Sequence, residues 1–246
     1  MTKVILDPGH GGADSGGGSN QIWKEKDFVL QISLYQEKRL KELGVEVLLT
    51  RDKDTTLSAE ERTSRVRGSG ANCCISNHIN SGGGEGVEII HSIHRDSGLA
   101  TLILDAVAES SQKKRRAYTR TLTNDPSQDY YFMHRNTGTI ETVIVEYGFA
   151  DNDHDVSRLQ KNWKIYAEAA ILGLCQYLEH PYTTQNNELK SAIDLLVEHG
   201  LMVSPEYWLQ NAMAGKRVEG EYAAILISNM ANKLKQGELL TTYTFA

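Results

Sequence analysis

The sequence predicts an α/β fold, a mixed twisted sheet flanked by helices with a small C-terminal helical module. Three observations predict it. Short apolar runs alternate with stretches of helical periodicity from Val4 to Leu178. Two of those runs lead into a histidine beside glycine and small polar residues, as strands do when their carboxyl ends open into a cleft. Composition then changes after Pro181, where residues 182–187 form a polar, Thr- and Asn-rich link.

The elements follow in order. Residues 4–6 form a short strand. Phe28, Ile32, Tyr35, Leu40 and Leu43 recur at helical spacing, and Gly44 supplies the stop. Residues 45–50 read as a second strand and 59–66 as a second helix. Residues 73–77 form a third strand ending near His78, and 87–93 a fourth. Residues 99–110 read as a helix, 143–146 as a buried late strand and 155–178 as a long helix. Beyond the link, Leu189 to Val197, Tyr207-Trp208 and Tyr222 to Leu234 give three short helical patterns, parted near Gly200 and Gly215. The expected division is a domain over residues 1–181 and a helical module over 182–246.

Composition narrows the function classes. The 246 residues can bury a sizeable core, and the formal net charge of -6 argues against a nucleic-acid partner. No run is apolar enough for membrane insertion. The N-terminus enters an apparent core strand without a signal-peptide pattern, so synthesis in a cytoplasm with indirect export is expected. Adjacent Cys73 and Cys74 should point to opposite faces of a strand, and with Cys175 they read as small buried hydrophobes.

Four residues carry candidate chemistry. His10 lies in Asp7-Pro8-Gly9-His10-Gly11-Gly12, a glycine-flanked loop after a strand; a turn with a solvated histidine is the plain alternative. His78, in Ser76-Asn77-His78-Ile79-Asn80, repeats the pattern. Glu25 opens the first long helix, where the helix dipole alone would favour an acid. Glu146 closes three β-branched residues, and a carboxylate there is costly unless a cleft receives it, which points to an acid/base. Two histidines and a glutamate suit a catalytic zinc site, which uses three protein ligands and keeps a fourth position open. The long spacings between them do not by themselves specify one.

The set of motifs resembles the zinc-dependent N-acetylmuramoyl-L-alanine amidases of bacterial autolysins and phage endolysins. The matching stretches are Asp7 to Gly12, Glu25-Lys26-Asp27, Thr50-Arg51-Asp52 with Arg62, Ser76 to Asn80, Gly86-Val87-Glu88, and Val145 to Phe149 with Asn152. They occur in the family's order and cover about residues 3–178. The resemblance implies that His10, Glu25 and His78 hold Zn2+ and that Glu146 is the catalytic glutamate. It implies cleavage between N-acetylmuramic acid and L-alanine in bacterial peptidoglycan. Asn77 departs from the family, which usually has an apolar residue there, but leaves His78 in place.

A zinc peptidase acting on stem or cross-bridge peptides is the near alternative, and a wall-binding scaffold on a dead amidase fold the distant one. The expected setting is a phage or prophage endolysin reaching the wall through holin lesions, with a host lysis or sporulation amidase as alternative. The module at 182–246 is expected to bind the cell wall or to form a homo-oligomer. His91 and His94 match no ligand position, and Lys113-Lys114-Arg115-Arg116 reads as a solvated basic face. The aromatic run before His134 is read as mainly structural, with a groove-lining role the alternative.

Overall fold

The computed structural model describes residues 2–183, 185–212 and 217–236. The chain divides after Tyr182 into two compact units.

The first unit is built on a sheet of six strands. These are β1 (Lys3–Pro8), β2 (Glu46–Leu49), β3 (Cys73–Asn80), β4 (Val87–His91), β5 (Lys114–Tyr118) and, after the pair β6 (Thr121–Leu122) and β7 (Asp125–Asp129), β8 (Glu141–Phe149). The order across the sheet is β2-β1-β3-β8-β4-β5. Strands β2, β1, β3 and β8 are mutually parallel, β4 runs antiparallel to β8, and β5 is parallel to β4. The sheet is therefore mixed, as its sequence predicts. Strands β6 and β7 form a separate antiparallel hairpin.

Side-chain alternation with period two sends apolar residues to both faces. Val4, Leu6, Cys73, Ile75, Ile89, Val143 and Val145 enter one core. There they meet helices α1 (Glu25–Glu42), α3 (Gly98–Glu109) and α5 (Asp153–Tyr177). Ile5, Cys74, Ile90 and Ile144 enter a smaller core on the other face, with Val66 of α2 (Ala59–Arg67) and Met133 of α4 (Phe132–Arg135). Cys73 and Cys74 thus take opposite faces, and all three cysteines are buried and free. Helix α2 begins with a capping box: Ser58 accepts from the Glu61 amide while the Glu61 carboxylate accepts from Ser58.

Two expectations need correction. The third strand does not end before His78 but continues to Asn80, with an irregularity between His78 and Asn80. Residues 87–93 shorten to a strand ending at His91. The basic run is exposed, as a solvated face should be; residues 114–116 lie on edge strand β5, and its cations are paired at the surface. Lys113 meets Glu85, Lys114 meets Asp105, and Arg115 and Arg116 both meet Glu88.

The second unit contains α6 (Gln185–Glu198), α7 (Pro205–Asn211) and α8 (Gly220–Lys235). Helix α6 begins within the expected polar link, so that link is shorter than composition suggests. Ile193, Met202 and Trp208 form its core, edged by Leu189, Leu196 and Leu226. Tyr207 stacks on Tyr222 with ring centroids 3.6 Å apart. Gly215 and the end of the expected module, residues 237–246, lie outside the described residues.

Candidate metal and acid/base centre

The centre forms where β1, β3 and β8 deliver polar side chains beside the start of α1. His10 follows β1 in the left-handed region (φ 58°), next to Gly11 (φ 132°). That non-glycine conformation is strained, and two buried arginines hold it. Arg51 donates to the carbonyls of Pro8, Gly9 and Lys26 at 3.0, 2.8 and 2.7 Å. Arg62 donates to Pro8 and His10 carbonyls, each at 2.7 Å, and pairs with Asp7 at 2.5 Å. Asp7 is fully buried and also accepts from Thr50 and Ser76, each at 2.6 Å. Burial opposes its charge, but Arg62 and the two hydroxyls outweigh burial and hold the carboxyl below its ordinary range.

Glu25 is the first residue of α1, yet it is not a solvated helix-start acid. Its side chain is buried, with Oε2 accepting from the Gly18 amide at 2.7 Å and Oε1 from the Ile79 amide at 3.0 Å. The same Oε1 lies 3.2 Å from His10 Nε2 and 3.0 Å from His78 Nδ1. Burial disfavours the charged form, but both histidines overcome it and keep Glu25 well below the usual carboxylate range. His10 responds in the opposite sense. Burial works against its charge, while Glu25 and Asp14 raise it to about 9.

The ligating atoms of His10, Glu25 and His78 lie within 4.8 Å of one another. The two imidazoles meet edge to face, with centroids 4.9 Å apart. Two glycines make this approach possible. A Cβ on Gly9 would fall 2.2 Å from the His78 ring, and one on Gly16 would fall 2.3 Å from Glu25 Oε2. The far nitrogen of His10, Nδ1, contacts Asp14 Oδ2 at 2.8 Å. This is the carboxylate–imidazole pairing that orients a metal-binding histidine. Two imidazoles, one ionised carboxylate and an open cavity side fit a zinc ion with three protein ligands.

Glu146 sits one strand away. On β8 it is in register with His78 of β3 on one side and Glu88 of β4 on the other. Its Oε2 is buried without a hydrogen-bond partner. Burial, then the charges of Glu25 and Glu88, raises its pKa to about 7, while His78 and His10 offset part of the rise. A carboxyl poised near neutrality with a free buried oxygen can take and return protons.

All four residues border one cavity of about 710 Å³. Tyr130, Tyr131, Phe132 and Met133 form part of its wall, so the aromatic run lines the groove as well as packing. His134 turns instead to a separate cavity of about 330 Å³ that contains none of these four groups. Sequence reasoning did not single out Asp14, and it gave no role to Glu88 or to Asp7 as a support. Asp14 carried a usable signal, an acid four residues after a glycine-flanked histidine.

Comparison with known proteins agrees with this architecture. Two curated relatives are the N-acetylmuramoyl-L-alanine amidase CwlM of Bacillus licheniformis and a sporulation-specific N-acetylmuramoyl-L-alanine amidase of Bacillus subtilis strain 168. The first is 32% identical over 173 residues, 66% of this chain and 62% of the relative. The second is 31% identical over 172 residues, 65% of this chain and 61% of the relative. The matched stretch thus spans about three fifths of those relatives. Among solved structures, the catalytic domain of CwlV from Bacillus (Paenibacillus) polymyxa var. colistinus superposes with a TM-score of 0.65 at 26% identity, covering 74% of this chain and 100% of that one. Cwp6 from Clostridium difficile also gives 0.65, at 31% identity, covering 72% of this chain and 29% of that one. Residues 4–176 match the family described as N-acetylmuramoyl-L-alanine amidase, and the chain belongs to that family.

Proposed function

We propose that this protein is a zinc-dependent N-acetylmuramoyl-L-alanine amidase that hydrolyses the bond between N-acetylmuramic acid and L-alanine in bacterial peptidoglycan. The carrying observation is the convergence of His10, Glu25 and His78 within 4.8 Å, with Glu146 in register beside His78. The amidases CwlM and CwlV, similar in sequence and in fold, support the choice of bond.

His10, Glu25 and His78 would hold the zinc, and Asp14 would fix the His10 ring. Bound zinc supplies Lewis acidity towards the scissile carbonyl and lowers the pKa of water. Glu146 takes the proton of the attacking water on its carboxylate and returns it to the leaving alanine nitrogen. Its raised pKa suits both halves of that transfer. Arg51 and Arg62 keep the His10 loop in its strained form, so the ligand needs little rearrangement. Tyr130, Tyr131 and Phe132 flank the reacting bond and reduce the water around it.

The test is digestion of purified peptidoglycan followed by mass spectrometry of the fragments. Chelator should abolish release of peptides with L-alanine amino termini, and zinc should restore it. Full hydrolysis by a metal-free preparation defeats the mechanism. New amino termini elsewhere in the stem or cross-bridge would make the protein a peptidase.

The module at 182–246 is assigned to wall binding, with self-association as the competing outcome. Exposed Ile227 and Leu234 on α8 and the Tyr207–Tyr222 stack are the contacts it can offer. The endolysin setting with holin-dependent release stays an expectation of the sequence. The sporulation-specific relative of Bacillus subtilis favours a host amidase as second reading. Lysis of host cells that depends on a membrane lesion would favour the endolysin. Among the described residues no helix is long and apolar enough to cross a membrane.

A further inference from the structure

The central cavity has four acidic groups on its wall, Asp7, Asp14, Glu25 and Glu146, but two cations, Arg62 and Arg120. Arg62 is committed to Asp7 and to the His10 loop. Arg120 differs. It stands between β5 and β6, at the open end of the β6–β7 hairpin, and its side chain is exposed. Among the described residues its guanidinium has no ion pair and no hydrogen bond. Its side chain lies over the Tyr130 ring, whose centroid is 3.7 Å from the guanidinium carbon. The Arg120 carbonyl also accepts the Tyr130 amide at 2.7 Å, so backbone and side chain hold the two residues together.

A guanidinium laid over an aromatic face keeps its five N–H donors at the rim. Two of them match the two oxygens of a carboxylate. Stacking also restricts the side chain beforehand, which lowers the entropy cost of binding. Among the described residues it is thus the arginine of the cavity wall left open to receive a negative group, since Arg62 is paired with Asp7.

We propose that Arg120, held on Tyr130, is a specificity residue that reads the free α-carboxylate of the second stem-peptide residue. The inference rests on the amidase reading above. In the substrate the lactyl carboxyl is consumed by the scissile amide, and the alanine carboxyl by the next peptide bond. The second residue is joined onward through its side-chain carboxyl, which leaves its α-carboxylate as the first free anion beyond the bond to be cut. Two residues of extended chain reach about 7 Å, so this anion remains within the neighbourhood of the cavity. Stems in which that carboxylate is an α-carboxamide lose the charge and place an NH2 donor against the arginine's donors. Arg120 therefore separates carboxylate stems from amidated ones.

The test uses the full-length, zinc-loaded protein and two soluble muropeptides, N-acetylmuramoyl-L-Ala-γ-D-Glu-L-Lys and its α-carboxamide form. Wild type should show a KM about tenfold lower for the carboxylate form at similar kcat, the size of a charge-assisted hydrogen bond. Arg120→Gln should raise the KM of the carboxylate form to that of the amide and change the amide's KM by less than about twofold. Arg120→Lys should recover part of the preference, because it keeps charge but loses the fork. Calorimetric binding of both muropeptides to Glu146→Gln, with and without Arg120→Gln, measures the same ratio without turnover. A wild-type protein that cleaves neither muropeptide, yet binds the carboxylate form more tightly through Arg120, fails the amidase reading and sustains this one. A preference that is absent, or that Arg120→Gln leaves unchanged, overturns the assignment of Arg120.

Discussion

Replacing Glu146 with glutamine should make the metal-free protein more resistant to denaturant at high pH while removing its activity. Glutamine keeps the shape and removes the charge. The wild-type carboxyl rises from 4.5 to about 7 in the folded chain because it is buried beside Glu25 and Glu88. The folded state therefore binds this proton more tightly than the unfolded state does. Below the unfolded value both states are protonated and the group costs nothing. Between the two values the unfolded chain ionises first, and the folded state loses relative stability until pH passes the folded value. At about 1.36 kcal/mol per pKa unit, the penalty is about 1 kcal/mol at pH 5 and about 3 kcal/mol at pH 8. The stability gap between Glu146→Gln and wild type should therefore widen by about 2.5 kcal/mol from pH 5 to pH 8. Comparing the gap at two pH values cancels any constant cost of the amide. Urea unfolding in chelator reads it as a relative midpoint shift of about 1 M. Zinc should narrow the gap, because a nearby cation favours the carboxylate. Activity should fall by roughly two to four orders of magnitude, with zinc still bound. A gap that does not change with pH would refute the account of Glu146 as a buried, proton-hungry carboxyl.

Further outcomes follow from neighbouring contacts. Asp14→Asn should weaken zinc binding by about 10–100-fold in a chelator competition, because it loosens His10 without removing a ligand. Arg62→Ala should lower stability by about 3–5 kcal/mol in urea unfolding, since it strands the buried Asp7 carboxylate. Adding Asp7→Asn should recover part of that loss, and failure to do so would contradict the pairing argument. Removing residues after Tyr182 should leave soluble muropeptide hydrolysis nearly intact and reduce binding to intact walls. Unchanged wall binding, with a dimer becoming a monomer in light scattering, would give the module the self-association role.

Legibility in the sequence followed local pattern. Strands β1, β3 and β8 announce themselves because both faces are covered, which makes them nearly continuous apolar runs. His10 and His78 were visible because each adjoins such a run. Glu25 was not separable from an ordinary helix-start acid, since what distinguishes it is reception by the amides of Gly18 and Ile79, one of them far off in sequence. Strand β5 was hidden because it is an edge whose lysines and arginines pair outward, leaving little apolar alternation. The β6–β7 hairpin was missed for the same reason, as Asp125 to Asp129 has no apolar side chain but that of Pro126. Arg120 was passed over because the Tyr130 ring it lies on is brought to it only by the β6–β7 hairpin.

The position of β8 has a consequence for the order in which the protein can assemble. It is the last strand of the sheet in sequence, yet it lies between β3 and β4. A nascent chain that has not yet delivered β8 can pair β2-β1-β3 and β4-β5 but cannot join them. It already contains His10, Glu25 and His78, the three ligands proposed for zinc, but lacks Glu146, the proposed acid/base. Both half-sheets then present a long unpaired edge, the template on which chains aggregate. Insertion of β8 seals those two edges and brings Glu146 beside His78 in the same event. The step that completes the sheet is also the step that sets Glu146 beside the three candidate ligands, so on the proposed mechanism incompletely made chains would be both sticky and inert.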